Sequence, residues 1–194
     1  KGDKIREFIT NFISLKEDPH ITLEELYEKS KIRLIITTVC LNNNKIYYLD
    51  HISDPNLELR EAILMSSSIP GLFPPIKYKD KLYVDSGIVI NNPIHILSND
   101  AWGICEDVSE SESIDIKNMI DYTVSIVHTI YKNINILKKS NKQRTIKVRS
   151  DKVSVTSFSL SKDVKFELFL NGIQTTREQV NHMILQESLL RKFY

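Results

Sequence analysis

The chain has 194 residues, enough for one packed domain with its own core. It is 41% hydrophobic and 26% charged, and 26 basic residues against 25 acidic leave a net charge of +1. That balance gives no field for nucleic acid, and no apolar run reaches the roughly 18 residues of a membrane-spanning helix.

The first residue is Lys1, not Met, and no charged-then-apolar leader opens the chain. The expectation is a portion of a longer protein, cytoplasmic or peripheral to a membrane. Cys40 and Cys105 stand far apart, with no Cys-x-x-Cys and no Cys/His cluster at metal spacing. Two buried thiols fit this better than one disulfide, and neither a metal nor a cofactor is expected.

Residues 4–16 set Ile5, Phe8, Ile9, Phe12 and Ile13 at helical spacing. Thr22 and Glu25 read as a capping box opening a helix with Leu23, Leu26 and Tyr27 on its apolar side. Residues 33–41 are dense in β-branched side chains, as in a strand buried on both faces. Asn42 to Asn44 make a turn, and residues 45–49 return as the second arm of a hairpin. Asp54-Pro55 is expected to start the next helix, which carries Leu59, Ala62 and Ile63 to about Met65.

Residues 69–75 then concentrate three of the chain's six prolines together with Gly71. A strand over 81–84 comes next, ending at Asp85-Ser86-Gly87, and Asn92-Pro93 closes the next loop. Residues 106–113 read as an acidic surface loop, and 115–137 as a long helix with Ile116, Ile120, Val124, Val127 and Tyr131 at helical spacing. From 138 to 152 the chain turns basic, most simply as a solvated loop, although anionic headgroups would suit it. Residues 153–160 alternate like an exposed strand and 175–190 read as a final helix. Strands interleaved with helices argue for an α/β fold in one domain: a core over 1–100, a variable part over 106–150 and a closing part over 151–194.

Asp85 is the candidate working carboxylate. It ends an apolar strand, where α/β folds place their chemistry, and Gly87 lets the backbone turn sharply beside a ligand. The alternative is that Asp85 only caps its turn. Ser66, Ser67 and Ser68 are flanked by no glycines and read as small residues at a helix end. His20, His51, His95, His128 and His182 are scattered and show no metal spacing.

Residues 59–93 closely resemble the patatin-like phospholipase family. The resemblance rests on the Ser-rich segment, the Ile69-Pro70-Gly71-Leu72-Phe73-Pro74-Pro75 run, the Tyr83-Val84-Asp85-Ser86-Gly87 turn and the Asn92-Pro93 loop. It implies a three-layer α/β/α sandwich with a mostly parallel central sheet, incomplete at the N-terminus in this chain. It further implies a lipid acyl hydrolase that uses a Ser–Asp dyad, needs no cofactor or metal, and meets phospholipid at a transient membrane surface. By motif, Asp85 is the proton acceptor. Ser86, Gly87, Asn91 and Asn92 support the turn, while Ile69, Pro70, Gly71, Phe73 and Pro74 form the pocket floor.

The chain departs from that pattern twice. Ser86 stands where the family has Gly or Ala; it is small enough to fit, and its hydroxyl could bond the carboxylate. No Gly-x-Ser-x-Gly occurs, so the strained elbow that exposes a nucleophile is expected before Lys1. These 194 residues alone are then expected to be inactive, and the alternative is a non-catalytic lipid- or partner-binding relative.

Overall fold

The computed structural model describes residues 2–106, 116–137, 145–148 and 159–190. It divides into two units, Lys1–Ile90 with Ile114–Tyr131 and Asn91–Ser113 with Lys132–Tyr194.

In the first unit, helix α1 (Gly2–Ser14) buries Ile9 and Ile13, one turn apart. Helix α2 (Leu23–Ser30) opens on the expected capping box. The Glu25 N–H donates to Thr22 Oγ1 at 3.2 Å, and the Thr22 N–H donates to Glu25 Oε2 at 2.9 Å. Strand β1 (Ile36–Cys40) buries Thr38, Val39 and Cys40 in succession, so both of its faces are covered. It pairs antiparallel with β2 (Lys45–Leu49), from Ile36 opposite Leu49 to Cys40 opposite Lys45. Asn44, at φ 55°, supplies the left-handed residue of the turn.

Helix α3 (Leu59–Ser66) starts later than Asp54-Pro55 suggests, with Glu58 in the N-cap position and no side-chain cap. The cause is tertiary. The Leu23 N–H donates to Leu57 O and the Leu59 N–H to Ile21 O, so Glu58 is drawn into a short bridge with Thr22 and stays extended. Asp54 instead accepts from Lys79 Nζ at 3.1 Å.

Strands β3 (Ile76–Tyr78) and β4 (Lys81–Asp85) form a hairpin whose two turn residues, Lys79 and Asp80, both have positive φ. β4 pairs with β1, placing Thr38 opposite Asp85, Val39 opposite Val84 and Cys40 opposite Tyr83. The sheet order is β2-β1-β4-β3 and each neighbouring pair is antiparallel. The chain is α/β, but this sheet differs from the mostly parallel one expected. Two of its pairs are hairpins, whose connections are too short for the crossover a parallel pair needs. Helix α3 packs its fully buried Ala62 and Met65 with Cys40, Leu49, Leu57 and Tyr83 in one cluster. Ile9, Ile13, Ile21 and Leu64 form a second cluster that fastens α1 to α3, assisted by an Arg6–Glu61 ion pair.

In the second unit, β5 (Gly103–Glu106) runs parallel to β6 (Thr145–Val148). The basic stretch therefore holds a strand where a solvated loop was expected; β-branched Thr145, Ile146 and Val148 favour it, and Ile146 is buried. Gly103 lets the Asn92 side chain approach closely: a Cβ there would come within 2.8 Å of Asn92 Nδ2, which would have to shift. Helix α4 (Met119–Leu137), which begins in the first unit, matches the long helical pattern. At its start Asn118 Oδ1 accepts from the N–H groups of Ile120 and Asp121. Helix α5 (Lys162–Leu190) begins well before the expected Thr175. The helix runs without interruption through Asn171-Gly172. Gln179 on α5 accepts from the Lys147 N–H (3.0 Å) and donates to Lys147 O (2.7 Å), closing the edge of β6. The expected acidic loop beyond Glu106 and the expected strand up to residue 158 lie outside the described residues. Among the described residues no helix is long and apolar enough to cross a membrane.

Candidate active site at the end of β4

Asp85 is the last residue of β4 and caps a single 3₁₀ turn, Ser86–Ile88. The Gly87 N–H donates to Asp85 Oδ1 at 2.6 Å. Removal from water pushes the carboxyl above its ordinary 3.8, and the Gly87 N–H offsets only part of that rise. Among the described residues that N–H is the only hydrogen bond to the carboxylate, which leaves Oδ2 able to accept from a further group. Capping thus occupies one oxygen of the side chain and leaves the other without a hydrogen bond among the described residues.

Ser86 is 4% exposed, and its hydroxyl does not turn to the carboxylate. Its Oγ lies 2.6 Å from Thr37 Oγ1 on β1. Thr37 is absent from the site residues that the sequence suggests. Its one signal there is a Thr37-Thr38 pair inside an otherwise apolar, doubly covered strand. Asn91 and Asn92 fall in the second unit, where Asn91 is exposed and Asn92 Nδ2 lies 3.5 Å from Thr145 Oγ1.

The Pro/Gly segment folds into a turn, with Ile69 O accepting from the N–H groups of Leu72 (3.1 Å) and Phe73 (3.0 Å). Gly71 sits at φ 85°, which favours glycine. Phe73 and Pro74 line a cavity of about 120 Å³ with Ser67, Ser68 and, from α1, Ile5 and Arg6. Ile69, Pro70, Gly71 and Asp85 are not part of that lining. The Ser-rich segment meets Asp85 through backbone: Ser68 O accepts the Asp85 N–H at 3.0 Å. The buried Ser68 hydroxyl donates to Leu64 O at 2.7 Å, the bond of a helix-end residue.

Among the described residues no group of three or more His, Cys, Asp or Glu could hold a metal ion. His20 Nδ1 is 3.2 Å from Glu58 Oε1, and the His51 ring stacks on Tyr27 with centroids 3.7 Å apart. Cys40 and Cys105 are not joined in a disulfide.

A family model for patatin-like phospholipases matches residues 2–98, from α1 through the Asp85 turn. An uncharacterised protein of Acanthamoeba polyphaga mimivirus is 27% identical over 94% of this chain and 65% of its own length. A probable lipid hydrolase of Invertebrate iridescent virus 6 is 33% identical over 49% of this chain and 33% of its own length. The chain therefore spans two thirds or less of each of these curated relatives. VipD from Legionella pneumophila shares the fold, with a TM-score of 0.58 and 14% identity over 85% of this chain and 36% of that one.

Proposed function

The chain belongs to the patatin-like phospholipase family, and from that premise we propose that Asp85 is the proton acceptor of a Ser–Asp dyad in a lipid acyl hydrolase of phospholipase A type. The observation that carries this reading is the split carboxylate: Oδ1 is fixed by Gly87 while Oδ2 is open, in a turn where burial favours proton uptake. The nucleophilic serine would precede Lys1 on a Gly-x-Ser-x-Gly elbow, since residues 1–194 contain none.

In the proposed reaction Oδ2 takes the serine hydroxyl proton as Oγ attacks the ester carbonyl carbon. The ester C–O bond then breaks and the departing alkoxide recovers that proton, leaving an acyl-serine. Water, deprotonated by Asp85, attacks the acyl carbon, and the serine recovers the proton as the fatty acid leaves. The chemistry requires no metal or cofactor. An ionised carboxylate beside acyl chains is tolerable because the Gly87 N–H solvates it. Phospholipid or another lipid ester, met transiently at a membrane surface, is the substrate class.

The test is fatty-acid release from phosphatidylcholine vesicles by the full-length protein. Asp85→Asn should lower kcat by roughly 10²–10⁴-fold. In the unsubstituted protein, activity should fall with acidity at a pH above the ordinary carboxylate value, because the base must be ionised. Residues 1–194 alone should release nothing. Wild-type turnover in Asp85→Asn, or a full-length sequence without the elbow, would sink the dyad. Vesicle binding with no release would favour a non-catalytic lipid-binding relative.

A further inference from the structure

We infer that Thr37 and Ser86 are positioning residues: their part-buried hydroxyl bridge clamps the turn that follows Asp85, and so fixes how the carboxylate is aimed. The inference rests on the reading of Asp85 as a base and goes beyond it to the part that aims that base.

The β1–β4 ladder ends at the Thr38–Asp85 pair, and beyond it the chain leaves the sheet for the Ser86–Ile88 turn. The turn closes on itself, with the Val89 and Ile90 N–H groups donating to Ser86 O at 2.9 and 2.7 Å. Among the described residues the Ser86 Oγ–Thr37 Oγ1 bond, 2.6 Å long, ties this closed turn back to β1.

Ser86 also lies between the two residues that make the carboxylate's hydrogen bond, Asp85 as acceptor and Gly87 as donor. Any rotation about the Ser86 backbone separates them, so holding the Ser86 side chain holds that bond. With Ser86 only 4% exposed, losing the Thr37 hydroxyl strands the Ser86 hydroxyl away from water, and losing the Ser86 hydroxyl removes the bridge outright; either loss weakens the native turn. The same burial denies Ser86 access to an ester, so it is not a nucleophile. Thr38 does a related job one residue on, donating from Oγ1 to Val84 O at 2.8 Å. That bond secures β4 itself, whereas Thr37 secures the turn beyond Asp85.

The experiment uses the full-length protein with Thr37→Val, which keeps shape and removes the hydroxyl, and Thr37→Ser, which keeps the hydroxyl. Ser86→Ala and the Thr37→Val/Ser86→Ala double variant complete the set. The readouts are kcat and KM on p-nitrophenyl butyrate and hydrogen exchange of the Gly87 amide. Misaiming a catalytic group should lower kcat by roughly tenfold in Thr37→Val and in Ser86→Ala, with KM unchanged. Thr37→Ser should stay close to the unsubstituted protein, and the double variant should be no worse than either single one. Gly87 exchange should accelerate in Thr37→Val and Ser86→Ala but not in Thr37→Ser.

Unchanged kcat in Thr37→Val overturns the clamp, as does a Thr37→Ser variant as impaired as Thr37→Val, which would make the role steric. If the unsubstituted protein and Asp85→Asn behave alike, the base assignment fails on its own. The clamp is then judged by Gly87 exchange: faster exchange in the two hydroxyl-deleting variants sustains it, and unchanged exchange overturns it.

Discussion

Asp85 is held where an ionised carboxylate is poorly solvated, and this makes folding stability depend on pH in an unusual direction for an acid. Its folded-state pKa lies above the unfolded value, with burial the principal cause. Between those two values the native state binds more protons than the unfolded one, so stability falls as pH rises. The favourable contribution is complete below about 3.8 and is lost as pH climbs through the raised value. Asp85→Asn, which cannot ionise, should therefore melt at a higher temperature than the unsubstituted protein at pH 7, and the gain should vanish in acid. Thermal unfolding at both pH values checks this, and a lower Tm for the variant at pH 7 would show the carboxylate to be stabilising instead. That the strand ends at Asp85 and turns at Gly87 was legible, because an acidic residue and a glycine stand at the end of an apolar run. The partner of Ser86 was not, since Thr37 reaches it only through the β1–β4 register.

Helix α2 and the β1–β2 hairpin were legible because their signals are local. A box four residues long and a run of asparagines between β-branched segments leave little for the rest of the chain to decide. The Thr22 box satisfies two otherwise orphaned N–H groups at the start of a helix of eight residues. Thr22→Ala should cost about 1 kcal/mol in urea denaturation, and a loss below a few tenths would mean that the bridge between Thr22 and Glu58 fixes the helix start by itself. The start of α3 failed as a sequence reading for the same physical reason seen in reverse. Asp54-Pro55 has good cap chemistry, but the backbone bonds from Leu23 and Leu59 hold Glu58 extended. The start of α5 was placed too late: one glycine in the middle of a long helix costs only about 1 kcal/mol, and the helix runs through Gly172.

The sheet is made of two units that each need only nearby residues, β1–β2 and β3–β4, and one pairing that must bring Thr38 to Asp85 across α3. Alternation and turn signals predict hairpins well. They say nothing about which hairpin docks on which, so the antiparallel β1–β4 seam was invisible in the sequence; the mostly parallel sheet was expected from the family resemblance alone. Local contacts form fast and long closures are slow. In refolding, amides inside the hairpins should gain protection before the Leu41 N–H, which bonds Leu82 O across the seam at 2.9 Å. Pulse-labelled hydrogen exchange reads that order, and simultaneous protection would contradict it. Asp85 and its clamp both lie on this seam. The proposed base is therefore not a possession of any one segment: its place is set only where β4 docks on β1, and a chain stalled with both hairpins formed but undocked is compact yet has no ordered Asp85 turn.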